Sequence, residues 1–157
     1  YKINTPSKLT ASLALVFKNF GLISFDYSNE NYENLKFKPE SDFYFSEINN
    51  AISTSLSNVN TYRVGSEILA NKFSFRMGYF TKSSPFNSSY NSTNNSIDST
   101  DGFSFGIGYK MKYSSVDFSV QKISVNKKRN LFDTGLTDQL HIENNKTLVS
   151  LSFSTIF

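Results

Sequence analysis

Seven stretches of this chain alternate apolar and polar residues, a period of two that predicts β-strands rather than helices. The first, Lys8–Lys18, sets Leu9, Ala11, Leu13, Leu15 and Phe17 on one face and Thr10, Ser12, Ala14 and Val16 on the other. The second, Leu22–Ser28, places Ile23, Phe25 and Tyr27 on the apolar face and Ser24, Asp26 and Ser28 opposite. The third (Tyr62–Ala70) and fourth (Phe73–Phe80) carry Tyr62, Val64, Ile68 and Phe73, Phe75, Met77, Tyr79 on that face. The fifth (Gly102–Met111), sixth (Ser114–Gln121) and seventh (Lys146–Phe157) continue the pattern.

Face parity constrains the connections. For Phe17 and Ile23 to share a face, the first loop holds three residues, Asn19-Phe20-Gly21, with Gly21 where a three-residue hairpin needs a left-handed conformation. Two-residue turns at Asn71-Lys72 and Lys112-Tyr113 close the next two hairpins. The first of these sets Glu67 opposite Arg76 and Gly65 opposite Gly78; the second sets Asp117 opposite Gly108, with Lys110 diagonal to it. The intervening connections are long, at about 29–61, 83–101 and 124–145. In the first of them Ile48, Ile52 and Leu56 recur at helical spacing after Ser46, a candidate N-cap.

Alternation of short turns with long loops is the habit of outer-membrane barrels, whose short turns are periplasmic and long loops extracellular. The chain's ending agrees. Leu151, Phe153 and Phe157 alternate to a C-terminal phenylalanine, the form of a last barrel strand read as an assembly signal. Both features put the end of the seventh strand at the periplasmic rim. The expected fold is therefore all-β: a transmembrane antiparallel β-barrel, with residues 1–157 supplying part of one barrel domain. Bacterial single-chain barrels have even strand numbers, and an open edge in lipid leaves backbone groups unsatisfied. Seven strands thus predict the C-terminal part of a larger barrel.

Composition narrows the function classes. Sixteen Phe and nine Tyr accompany only 38% hydrophobic residues, a balance that suits strands with a single lipid-facing side and aromatic girdles. There is no apolar run long enough for a membrane helix. Cysteine is absent, which excludes disulfides and thiolate metal sites. A net charge of +3 without a clustered basic stripe gives nucleic-acid binding no support. The chain opens on Tyr1 with no visible signal peptide, as expected of a processed chain or a fragment.

Several short stretches, in order, resemble the C-terminal half of the FadL-like family of fatty-acid and hydrophobic-compound transporters, in its Bacteroidota form. They are Thr5-Pro6, Gly21-Leu22-Ile23-Ser24-Phe25-Asp26-Tyr27, Arg63-Val64-Gly65-Ser66-Glu67, Arg76-Met77-Gly78-Tyr79-Phe80, Ser84-Pro85-Phe86 and Phe105-Gly106-Ile107-Gly108-Tyr109-Lys110. The resemblance implies a fourteen-stranded barrel with an N-terminal hatch, of which the last seven strands are present here. It also implies passive uptake of hydrophobic, fatty-acid-like compounds across the bacterial outer membrane, without cofactor. The partners so implied are outer-membrane lipid, lipopolysaccharide, hydrophobic small molecules and the barrel-assembly machinery. Some relatives look like accessories of secretion or assembly, so the alternative is a non-transporting barrel docking protein subunits of an outer-membrane complex.

Catalysis is not expected. The single histidine, His141, falls in a predicted loop, and no Gly-x-Ser-x-Gly elbow accompanies it. The informative polar residues are those expected to face the lumen: Asp26, Arg63, Glu67, Arg76, Lys110 and Asp117. They form either an interior ion-pair network or a receptor for an anionic head group, for which Arg is well suited. Gly65, Gly78, Gly106 and Gly108 share the inward face, as a shallow concavity for a hatch or a passing lipophile, or as bends for barrel curvature. Phe43, Phe45, Ile48, Ile52 and Leu56 form either a mini-core within the first long loop or a hydrophobic contact site at the barrel mouth.

Overall fold

Strict alternation yields one extended sheet. The computed structural model describes residues 1–87, 96–129 and 140–155. Its strands, in chain order, are β1 (Lys2–Asn4), β2 (Ser7–Phe17), β3 (Gly21–Asn31), β4 (Lys36–Lys38), β5 (Asn58–Ala70), β6 (Phe73–Lys82), β7 (Ser96–Lys110), β8 (Ser114–Arg129) and β9 (Leu140–Thr155). Seven of them make an antiparallel sheet in the order β2-β3-β5-β6-β7-β8-β9, so every strand pairs with its sequence neighbours in the sheet. The sheet is open, because β2 and β9 do not pair. The chain is thus all-β in its main body, as alternation predicts.

The tight turns follow from local chemistry. Phe17 pairs with Gly21, so the first loop is Lys18-Asn19-Phe20. Asn19 takes the left-handed conformation (φ 62°), a region asparagine tolerates, while Gly21 sits at φ 143°. A side chain at Gly21 would run into the Glu67 carbonyl of β5, so only glycine admits that close approach. The expected loop is therefore displaced by one residue while the face parity holds. Asn71 (φ 55°) turns β5 into β6, pairing Ala70 with Phe73 and Glu67 with Arg76. At the third turn the Met111 N–H donates to the Ser114 carbonyl at 2.8 Å, across Lys112-Tyr113.

The long connections are shorter than the alternation suggests. β5 begins at Asn58, β7 at Ser96, and β8 extends to Arg129 where it meets β9 from Leu140. Against the expected loops at 29–61, 83–101 and 124–145, the large sheet takes in 29–31 and 58–61, 96–101, and 124–129 with 140–145. Residues 88–95 and 130–139 lie outside the described residues. Backbone pairing needs no apolar side chain, so the strands continue as polar ladders where the pattern read for strands has stopped. His141 is accordingly a β9 strand residue, opposite Lys128, not a loop residue.

Within the connection from β3 to β5, a 3₁₀ turn (Tyr32–Asn34) and β4 precede a helix α1, Phe43–Ser55. The helix starts earlier than expected. Asp42, not Ser46, is its N-cap, with Oδ1 accepting from the Tyr44 N–H at 2.9 Å. Phe43, Tyr44 and Phe45 therefore lie inside the helix rather than before it. A carboxylate satisfying orphan N–H groups at this end is a strong start signal.

One face of the sheet carries an apolar band across all seven strands. Leu13, Phe25, Val64, Tyr79 and Phe103 lie along one register row, and their neighbours two residues on extend the band. Tyr27 and Tyr62 meet at one margin (ring centroids 5.2 Å), Phe73 and Tyr109 at the other (4.9 Å). The band is oblique to the register. Leu13 is its middle on β2, and the row through Leu13 reaches β9 at Thr147 after Lys122. The apolar residues of β9 instead centre on Leu151, four residues further along. At about 3.3 Å per residue and about 4.8 Å between strands, this inclines the strands about 25° to the normal of the band.

Candidate functional site

Every second residue faces the other way and builds a polar face. Its centre is Arg76 on β6. Arg76 Nε donates to Glu67 Oε1 of β5 at 2.9 Å, and Nη1 donates to Asp117 Oδ1 of β8 at 2.6 Å. The first partner sits directly across the ladder. The second is two strands away, and the guanidinium reaches it across β7.

The glycines of β7 permit that reach. Gly106 pairs with Arg76, and Gly108 pairs with Asp117. A Cβ at Gly108 would crowd the Asp117 carboxylate and Ser74 Oγ and come within 3.5 Å of Arg76 Nη1. The ion-pair residues and half of the glycine set thus form one site. Gly65 and Gly78 are different. They oppose one another, but added Cβ atoms would crowd the Ser24 and Ser104 hydroxyls, at 2.9 and 2.7 Å. Two hollows of about 400 and 390 Å³, both lined by Arg76 and Asp117, open on this face. The Gly65–Gly78 pair lines neither of them.

Other expected members remain apart. Asp26 and Arg63 are register partners, yet no ion pair joins them. Lys110 lies opposite Ser115, and Asp117, its expected diagonal partner, is engaged by Arg76. The register between β6 and β7 explains the difference: a long connection joins those strands, so turn parity could not place Arg76 beside Asp117.

On β3 and β5 the long-connection end of the polar face is covered. Val59 is 0% exposed, and Ser28 and Thr61 beside it are buried as well. The 3₁₀ turn contacts β5, and α1 packs on that turn and on β4. The Asn49 side chain donates to the Phe37 carbonyl at 3.0 Å and accepts from its N–H at 2.8 Å, fastening helix to strand. Phe45 stacks on Phe37 (5.8 Å). Ile48, Ile52 and Leu56 are half-buried, and Leu56 bridges to Phe86. Phe43 separates from this group, with 78% of its surface exposed.

Beneath the cover lies a charged cluster absent from the sequence reading. Glu30 accepts from Lys8 at 2.9 Å and from the Tyr32 hydroxyl at 3.1 Å, with Lys82 at 3.8 Å. Glu30 lies beyond the apolar band, which on β3 ends at Tyr27. The Lys8 hydrogen bond, aided by Tyr32 and by the charge of Lys82, holds its carboxyl below the usual range against the opposing effect of partial burial. A second missed residue is Phe80, whose ring lies over Gly102 on the polar face. Residue-type searches for charge and glycine pass over an inward aromatic; the Phe80–Gly102 register exposes it.

Leu151 and Phe153 stand exposed on the apolar face of β9, whereas Phe157 lies outside the described residues. Among the described residues no helix is long and apolar enough to cross a membrane, which says nothing of strands. No cluster of metal-ligating side chains occurs among them either. No known family model, curated protein or solved structure matches the chain.

Proposed function

We propose that this sheet is a wall section of a bacterial outer-membrane β-barrel, with the apolar face against lipid and the polar face lining the lumen. The observation that carries the reading is the unrelieved exposure of the apolar face. Leu13 is 64% exposed and Leu151 is 74% exposed, and about twenty large apolar side chains share that side. Even about 1 kcal/mol for removing each from water exceeds the roughly 5–15 kcal/mol that a domain has to spare. Water is the wrong solvent for this face. The oblique course of the band is a strand tilt of the kind a barrel wall has, though shallower than the roughly 35–45° of closed barrels. Aromatic residues at both margins fit the two membrane interfaces.

Within that wall, the function is passive passage of hydrophobic, fatty-acid-like compounds, the activity implied by the FadL-like resemblance. A fourteen-stranded closure with a hatch, and lipid, lipopolysaccharide and the assembly machinery as partners, belong to the same proposal. Support comes from the polar face: a cover over the β3–β5 part of its long-connection end, and two hollows beside the Arg76 bridge.

The chain has no cysteine, so single cysteines introduced at positions 12 to 15 can each carry a fluorophore without background. In bilayers containing brominated lipid, probes at Leu13 and Leu15 should be quenched and those at Ser12 and Ala14 spared. Equal quenching along the strand would refute the wall. Passage is tested separately, by uptake of a labelled fatty acid into cells carrying Gly106→Leu. Gly106 has ordinary van der Waals space above it, so the leucine should fold, fill one hollow and slow uptake. Unchanged uptake would remove the passage reading and leave the wall intact.

A further inference from the structure

The short-turn end of the polar face holds a directly opposed pair of like charges. Phe73 pairs with Tyr109, so Lys72 and Lys110 oppose one another one step beyond, and the Lys110 N–H donates to the Lys72 carbonyl at 2.8 Å. Like charges directly opposite on a ladder repel. Arg76 already pairs with both Glu67 and Asp117, and the lining as a whole sets four cations, Lys72, Lys110, Lys112 and Arg76, against those two carboxylates. Neither lysine ammonium has an ion-pair partner among the described residues. Lys112 approaches the same place from the next turn, held 5.0 Å above the Tyr113 ring.

These lysines line a hollow of about 400 Å³, whose wall also presents the hydroxyl-bearing Ser74, Ser115 and Ser154. Gly108 contributes no side chain to its floor, and the Arg76 bridge bounds it on the side away from the turns. Cations that repel one another, hydroxyl donors and open volume meet at one spot. We propose that this hollow binds an anionic oxygen group, a phosphate or a carboxylate, held between Lys72 and Lys110 and completed by serine hydroxyls. Charge-assisted hydrogen bonds to two ammonium groups suit such an anion. The inference rests on the geometry of the polar face and stands whether or not hydrophobic compounds pass through the lumen.

Site-resolved titration tests it. The lysines of the intact protein, in uncharged detergent, are reductively dimethylated with ¹³C, which preserves their charge. Resonances are assigned with Lys72→Gln and Lys110→Gln; both residues are exposed, so the variants should fold. Inorganic phosphate is then added against chloride at constant ionic strength. The Lys72 and Lys110 signals should shift together and saturate, while those of Lys36 and Lys146, remote from the hollow, should drift without saturation. Lys110→Gln should weaken the response of Lys72 about tenfold, the loss expected for one charge-assisted contact. A second series replaces phosphate with phosphatidylglycerol doped into the micelles. Saturation with phosphate identifies a free anion as a sufficient ligand, and saturation with phosphatidylglycerol alone identifies a lipid head group. If Lys72 and Lys110 behave like Lys36 and Lys146 in both series, the site does not exist.

Discussion

Glycine has two opposite uses on the polar face, and substitution separates them. At Gly102 the Phe80 ring occupies the space a Cβ needs, whereas a Cβ at Gly106 would find only ordinary contacts, the nearest at 3.5 Å. Gly102→Ala should therefore cost about 1–3 kcal/mol by displacing the ring, and Gly106→Ala should be near neutral. Denaturant unfolding of the two variants in detergent reads the difference. Arg76 offers a second residue-scale test. Its side chain is roughly half exposed, so each of its ion pairs is worth about 0.2–1 kcal/mol. A double-mutant cycle of Arg76→Met with Asp117→Asn should give a coupling of that size. A coupling near zero would mean that the bridge across β7 contributes nothing to stability.

At the scale of elements, the connection between β3 and β5 is held by few contacts, and they are separable. Asn49→Ala removes both hydrogen bonds to the Phe37 backbone, about 1–3 kcal/mol of local stability. Hydrogen exchange should quicken over β4 and α1 while β5 to β9 keep their protection. Acid should loosen the same region. The Glu30 carboxyl titrates lower in the folded chain than in the unfolded one. Its stabilisation is therefore present above the ordinary carboxylate pKa of about 4.3 and fades as pH falls through the lower folded value. Exchange of the β3 end and the 3₁₀ turn should rise over that acidic window, and Glu30→Gln should abolish the pH dependence.

These elements also show how far alternation can be read. It located all seven strands of the large sheet and their faces, because side-chain period is a property of each strand alone. The registers inside the β5–β6 and β7–β8 hairpins followed, because a two-residue turn leaves no freedom. The register of β6 on β7 did not, and with it went the Arg76–Asp117 pair. The α1 start at Asp42 was hidden by aromatic residues that read as loop, although an Asp before Phe-Tyr-Phe is a legitimate cap. The separate antiparallel pair of β1 with β4, Ile3 opposite Phe37, was invisible for another reason: three residues cannot display a period.

For the molecule as a whole, the topology sets an arithmetic on its own edges. Seven antiparallel strands in sequence order leave β2 and β9 pointing the same way. An odd ribbon has two edges of one polarity, so its ends cannot zip to each other in antiparallel fashion. Nor can two such ribbons, standing the same way up, be joined edge to edge except through parallel seams. Whatever completes this sheet with antiparallel seams must supply an odd number of strands, and its own edges must both run against the grain of β2 and β9.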